Sequence, residues 1–99
     1  VKVEVRPCHG GNGFLIPISS KAYQAASRAM AEVYGTDPVP SRGGGSIPIL
    51  ADLQHILGID PLLMGFGLER DTIHSPNESY LLSQFFAGIR SLALFYKYY

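Results

Sequence analysis

His74 stands in the stretch Gly67-Leu68-Glu69-Arg70-Asp71-Thr72-Ile73-His74-Ser75-Pro76-Asn77-Glu78, and its surroundings are unusually well specified. Ser75 suits a helix N-cap, Pro76 the first helical position, and Glu78 lies three residues after the cap, which is the pattern of a capping box with proline at its favoured site. The run Pro61-Leu62-Leu63-Met64-Gly65-Phe66-Gly67 just before it reads as a short buried strand. An imidazole between a strand end and a helix start sits where α/β folds build their sites. It suits a metal ligand, with Asp71 nearby to orient the ring. A single protein donor does not make a zinc site, so the other ligands would lie outside these 99 residues. The alternative is that His74 is a polar surface residue of a loop.

Ser41-Arg42-Gly43-Gly44-Gly45-Ser46-Ile47-Pro48 is the second constellation. Glycines before a helix let the backbone approach a ligand closely, and the first amides of that helix attract an anion. Arg42 adds a planar fork that matches a carboxylate. The plainer reading is a flexible turn. No Gly-Lys-Ser/Thr follows the glycines, so a phosphate-binding P-loop fits poorly. Cys8 and His9 are adjacent, a spacing that rarely chelates one structural ion. His9, on the loop Cys8-His9-Gly10-Gly11, either touches a substrate or is simple loop polarity. His55, among Leu53, Ile56 and Leu57, reads as a helix packing or surface residue.

These residues need elements to hold them. Val1 to Val5 alternate apolar and charged, as a half-exposed strand does. Arg6 to Ile18 is proline- and glycine-containing loop. Ala22, Ala26, Ala29, Met30 and Val33 recur at helical spacing, and Gly35 ends the helix they predict. Asp37-Pro38-Val39-Pro40 is a connector. Pro48 opens a second helix that runs through Leu57 and stops at Gly58. A last helix is predicted from about Pro76 to the mid-90s. Its Leu81, Leu82, Phe85, Phe86, Ile89, Leu92, Ala93 and Phe95 occupy more than one stripe, as for a helix with several neighbours. The expected order is strand, helix, glycine turn, helix, strand, helix: α/β material with too few strands to close a sheet alone.

Composition narrows the function classes. Eight basic and eight acidic residues cancel, which gives no footprint for a nucleic-acid backbone, and the terminal Phe95-Tyr96-Lys97-Tyr98-Tyr99 is read as packing and not base stacking. Apolar residues make up 46% and charged ones 16%, against the roughly 25% charge of an ordinary domain. The excess is expected to face protein beyond these residues. No apolar run approaches the ~18 residues of a membrane span, no signal-peptide pattern appears, and the single Cys8 forms no internal disulfide. A cytoplasmic location is the default expectation. The chain opens on valine, and it is expected to be a piece of something longer.

Arg42-Gly43-Gly44-Gly45-Ser46-Ile47-Pro48, followed about thirty residues later by His74-Ser75-Pro76-Asn77-Glu78, resembles the C-terminal segment of M20 metallopeptidases, closest to the carnosine-dipeptidase-like branch. The helix ending at Tyr34-Gly35 is similar too, and the opening strand with the Cys8 to Gly11 loop looks like the end of a lid domain. The resemblance implies a three-layer α/β catalytic domain, a mixed sheet with helices, preceded by the last strand of the lid. Residues 1–18 would be the end of the lid and dimerisation domain with its connector, and residues 19–99 the C-terminal part of the catalytic domain. It implies a dinuclear zinc site in which His74 binds one ion. It implies substrate binding by Arg42, Gly44, Gly45 and Ser46 at the helix start, with His9 reaching in from the lid. The expected partners are a dipeptide or acyl-amino-acid substrate, the N-terminal part of the catalytic domain, and a second copy in a homodimer. Gly43 stands where some relatives carry an acid, which points to a different substrate preference.

The family's His-x-Asp pair, its bridging Asp and its Glu-Glu with the general base have no counterpart here. Two-metal hydrolysis needs a clamp on both ions and a base for the water. The 99 residues alone are therefore expected to be inactive. The competing class is a non-catalytic, stand-alone anion- or partner-binding α/β module.

Overall fold

The computed structural model describes residues 1–7, 12–43 and 47–99. They form three α-helices and one short 3₁₀ turn: α1 (Lys21–Tyr34), α2 (Ile49–Leu57), the turn Glu69–Asp71, and α3 (Leu82–Tyr98). They divide into two compact units. One holds Val1–Ile16 and Arg42–Pro61, the other Pro17–Ser41 and Leu62–Tyr99.

The expected α/β architecture is overturned, because no described residue belongs to a strand. Both predicted strands, residues 1–5 and 61–67, lack one. An extended segment becomes a strand only when a neighbouring segment takes up its N–H and C=O groups. Neither segment meets such a partner among the described residues, and Val1, Val3 and Val5 stand exposed. The three-layer sheet domain expected from the resemblance is thus not what these residues form. In the run 61–67, Phe66 instead packs against α3, where a Cβ on Gly88 would come within 3.3 Å of its ring.

Local chemistry explains α1. Ser20 caps it by accepting from Tyr23 N at 3.2 Å, and Gln24 N donates to Ser20 O at 3.0 Å. Gly35, at φ 70°, ends it in the left-handed conformation and donates its N–H to Ala31 O at 2.8 Å. α2 begins with Leu50 N donating to Ile47 O at 3.0 Å, and ends on Gly58 in the same left-handed form.

α1 and α3 pack together to make the second unit's core. The residues most deeply buried along them are small: Ala25, Ala26 and Ala29 on α1, Gly88 and Ser91 on α3. Small side chains at a crossing let two helix axes approach. The pair runs antiparallel. Tyr34 at the end of α1 donates its hydroxyl to Gln84 Oε1 at 2.7 Å near the start of α3. At the start of α1, Lys21 Nζ lies 4.6 Å from the Tyr99 ring centre; further along it, Arg28 sits 4.0 Å over the Tyr98 ring, whose hydroxyl donates to Glu32. Among the described residues the last helix, read as having several neighbours, meets one helix, α1, and the Phe66 ring. Leu82, Phe85, Phe86, Ile89 and Leu92 remain largely exposed.

α3 also begins later than expected, at Leu82 and not near Pro76. Three residues ahead of it, Thr72 (φ 50°), His74 (φ 63°) and Asn77 (φ 63°), take left-handed backbone that no right-handed helix accommodates. Ser75-Pro76-Asn77-Glu78 is a β-turn closed by Glu78 N donating to Ser75 O at 3.2 Å. Proline at its second position and a positive-φ asparagine at its third are the type II signature. The capping-box pattern at Ser75, Pro76 and Glu78 therefore serves a turn.

Two outcomes check this description. Ala29 is 0% exposed, so Ala29→Leu forces the α1–α3 contact apart and should lower unfolding free energy by about 1–3 kcal/mol in urea denaturation of the full-length protein. Asn77→Gly should be neutral or stabilising in a thermal melt, because glycine accepts left-handed backbone freely, whereas Asn77→Val should cost about 1–2 kcal/mol. Were residue 77 helical, the glycine would instead cost about 1 kcal/mol.

Candidate functional site

The residues from Leu68 to Ser79 fold back on themselves around Asp71. Its carboxylate is 1% exposed. Oδ2 accepts from Leu68 N at 2.8 Å, while Asp71 N donates to Leu68 O at 2.9 Å. Across the loop, Ser79 N donates to Asp71 O at 3.0 Å. Two turns hang between these ties: Thr72 to Ser75, closed by Ser75 N donating to Thr72 O at 2.9 Å, and the Pro76 turn after it. Thr72 Oγ1 adds a bond to Asn77 O at 3.3 Å. Gly67 borders the loop, where a Cβ would press within 3.3 Å of Ile73 Cδ1.

Three positive-φ residues in six are costly, at roughly 1–3 kcal/mol each, and persist only where the surroundings over-determine them. Here the ties on Asp71 supply that constraint. Asp71 Oδ1 has no hydrogen-bond partner among the described residues.

His74 occupies the third position of the first turn, and its side chain is exposed. The Asp71 carboxylate accepts from the Leu68 amide through Oδ2 and not from the imidazole. Among the described residues, no three His, Cys, Asp or Glu side chains gather as a metal site would require. The donor set is a single accessible imidazole. It fits a ligand contributed to a shared site and does not fit a self-contained zinc centre.

Arg42 is exposed in the other unit, ahead of α2. Gly44, Gly45, Ser46 and His9 lie outside the described residues. His55, on α2, is exposed, in keeping with a surface role.

A hollow of about 290 Å³ opens beside the loop, lined by Met30, Tyr34, Gly65, Phe66, Leu68 and Gln84 among others. His74 does not line it. Burial, and then the nearby Tyr80, push the Tyr34 hydroxyl above its usual value, and that hydroxyl donates to Gln84. This pairing had no signal in the sequence, since it joins residues 50 apart. Asp71 was legible only as a neighbour of His74. Its role as the tie between Leu68 and Ser79 depends on a loop closure that spacing does not reveal.

No helix among the described residues is long and apolar enough to cross a membrane. No solved structure matches the chain. Curated relatives do. The chain is 36% identical over 91 residues to the Cys-Gly metallodipeptidase DUG1 of Saccharomyces cerevisiae, covering 92% of this chain and 19% of that protein. It is 34% identical to the protein of the same name from Candida albicans, over 99% of this chain and 20% of that one. It is 32% identical to the human Beta-Ala-His dipeptidase, over 96% of this chain and 19% of that protein. The chain thus spans about a fifth of the length of these relatives. The model of peptidase family M20/M25/M40 matches residues 1–98, and the chain belongs to that family.

Proposed function

We propose that these residues act as the C-terminal portion of a dinuclear zinc dipeptidase or aminoacyl hydrolase, with His74 as ligand to one ion. The observation that carries this reading is the His74 turn: an exposed imidazole on backbone that the ties to Asp71 over-determine, in a chain of the M20/M25/M40 family. Relatives named for Cys-Gly and Beta-Ala-His cleavage support dipeptides as the substrate class. Zinc, when bound, supplies an activated water and polarises the scissile carbonyl.

The chain's own share is binding and orientation. His74 donates one ring nitrogen to the metal. Arg42 offers its guanidinium fork to the substrate carboxylate, and Gly44, Gly45 and Ser46 bring backbone and hydroxyl donors to the same end of the substrate. His9 completes the substrate contacts. In this reading residues 1–18 end a lid that pairs two copies, and residues 19–99 belong to the catalytic body. The exposed apolar stripe Leu82, Phe85, Phe86, Ile89 and Leu92 suits a chain that works packed against further protein. The His-x-Asp and Glu-Glu pairs of the family have no counterpart in the 99 residues, so they are expected to be inactive by themselves.

His74→Ala in the full-length protein should remove about one zinc per protomer by elemental analysis and abolish turnover of Cys-Gly and Beta-Ala-His. Unchanged metal content with unchanged turnover would refute the assignment. Arg42→Ala should raise KM by roughly 10- to 100-fold, the worth of a charge-assisted hydrogen bond of about 1.5–3 kcal/mol, with full zinc content retained. A wild-type KM would remove Arg42 from the site.

A further inference from the structure

We propose that Asp71 is a positioning residue for the metal site, acting through the backbone that presents His74 and not through the imidazole itself. The inference rests on the reading of His74 as a ligand. Asp71 is the most buried ionisable side chain described, at 1% exposure, on a loop whose other members are exposed. Its Oδ2 holds Leu68 N at 2.8 Å, and its own carbonyl holds Ser79 N at 3.0 Å. One residue therefore ties both ends of the segment that carries His74.

Between those ends the chain turns twice through left-handed residues at 72, 74 and 77. Backbone of that kind relaxes when its restraints are removed. Without the carboxylate the Leu68 amide loses its acceptor, and the turn at 68–71 that anchors the loop loosens. Residues 72–77, still closed by Ser79 N on Asp71 O, then shift with it and His74 points elsewhere. A metal ligand must be held in a narrow range of orientation, so this freedom appears as weaker metal binding. The carboxylate's other oxygen meets no donor among the described residues. The role thus needs an acceptor at Oδ2 and no ion pair, and an asparagine oxygen supplies the same acceptor.

Zinc affinity, measured by chelator competition on the full-length protein, tests this in a double-mutant cycle. Asp71→Ala should weaken zinc binding about 10- to 100-fold, the range seen when groups supporting a ligand are removed. Asp71→Asn should restore affinity to within about threefold of wild type by keeping the bond to Leu68 N. In a His74→Ala background, Asp71→Ala should add no further loss, because the ligand it positions is gone. Should the alanine variant fail to fold, Asp71→Ser, whose oxygen is too short to reach Leu68 N, takes its place in the cycle.

Wild-type affinity in Asp71→Ala, beside a weakened His74→Ala, would overturn the positioning role while leaving His74 a ligand. An equal loss in both backgrounds would overturn it in favour of a general folding role. Failure of Asp71→Asn to restore affinity would also overturn it, since the charge and not the acceptor would then matter. Wild-type affinity in His74→Ala would instead refute the ligand assignment on which the inference rests.

Discussion

The hydrogen bond from Leu68 N to the buried carboxylate of Asp71 is the constraint on which the rest of the loop depends. It gives the Leu68 amide an acceptor on a buried side chain, where an amide left without one would cost about 1–3 kcal/mol. The neighbouring left-handed residues Thr72, His74 and Asn77 persist only while such restraints hold them. The arrangement is local, because the strained residues and their restraint share the twelve residues from Leu68 to Ser79. The outcome is an imidazole exposed to solvent on backbone with few alternatives, as a metal ligand requires.

The α1–α3 pair is the platform beneath it. Alanines on one helix, with Gly88 and Ser91 on the other, bring the two together, and Gly88 also leaves the space that the Phe66 ring fills. Phe66 stands at the end of the segment that leads into Leu68. Packing at the helix pair is thereby coupled along the chain to the start of the His74 loop. The outer face of α3 keeps its apolar residues in the open, which agrees with a composition of 46% apolar and 16% charged residues.

Local signals in the sequence translated well where one short-range interaction decides the outcome. Gly35 ends α1 and Gly58 ends α2 as read. Ser75, Pro76 and Glu78 show where such reading stops. The same three residues satisfy a helix capping box and a type II turn. The choice falls to Asn77, which accepts left-handed backbone, and to the bond from Ser79 N to Asp71 O. That bond spans eight residues and leaves no periodic trace. The alternation of Val1 to Val5 and the apolar run at 61–67 encode extended chain, but a strand also needs a partner, and pairing is not written in the segment itself. Of the site, the His74 and Arg42 motifs were legible as residues that could do chemistry. The closure around Asp71 was not.

X-ray absorption at the zinc edge of the full-length protein, compared between wild type and His74→Ala, tests the central claim most directly. The account predicts a nitrogen shell at about 2.0–2.1 Å that includes one imidazole lost in the variant. Identical zinc spectra in the two proteins, at equal metal loading, would contradict it.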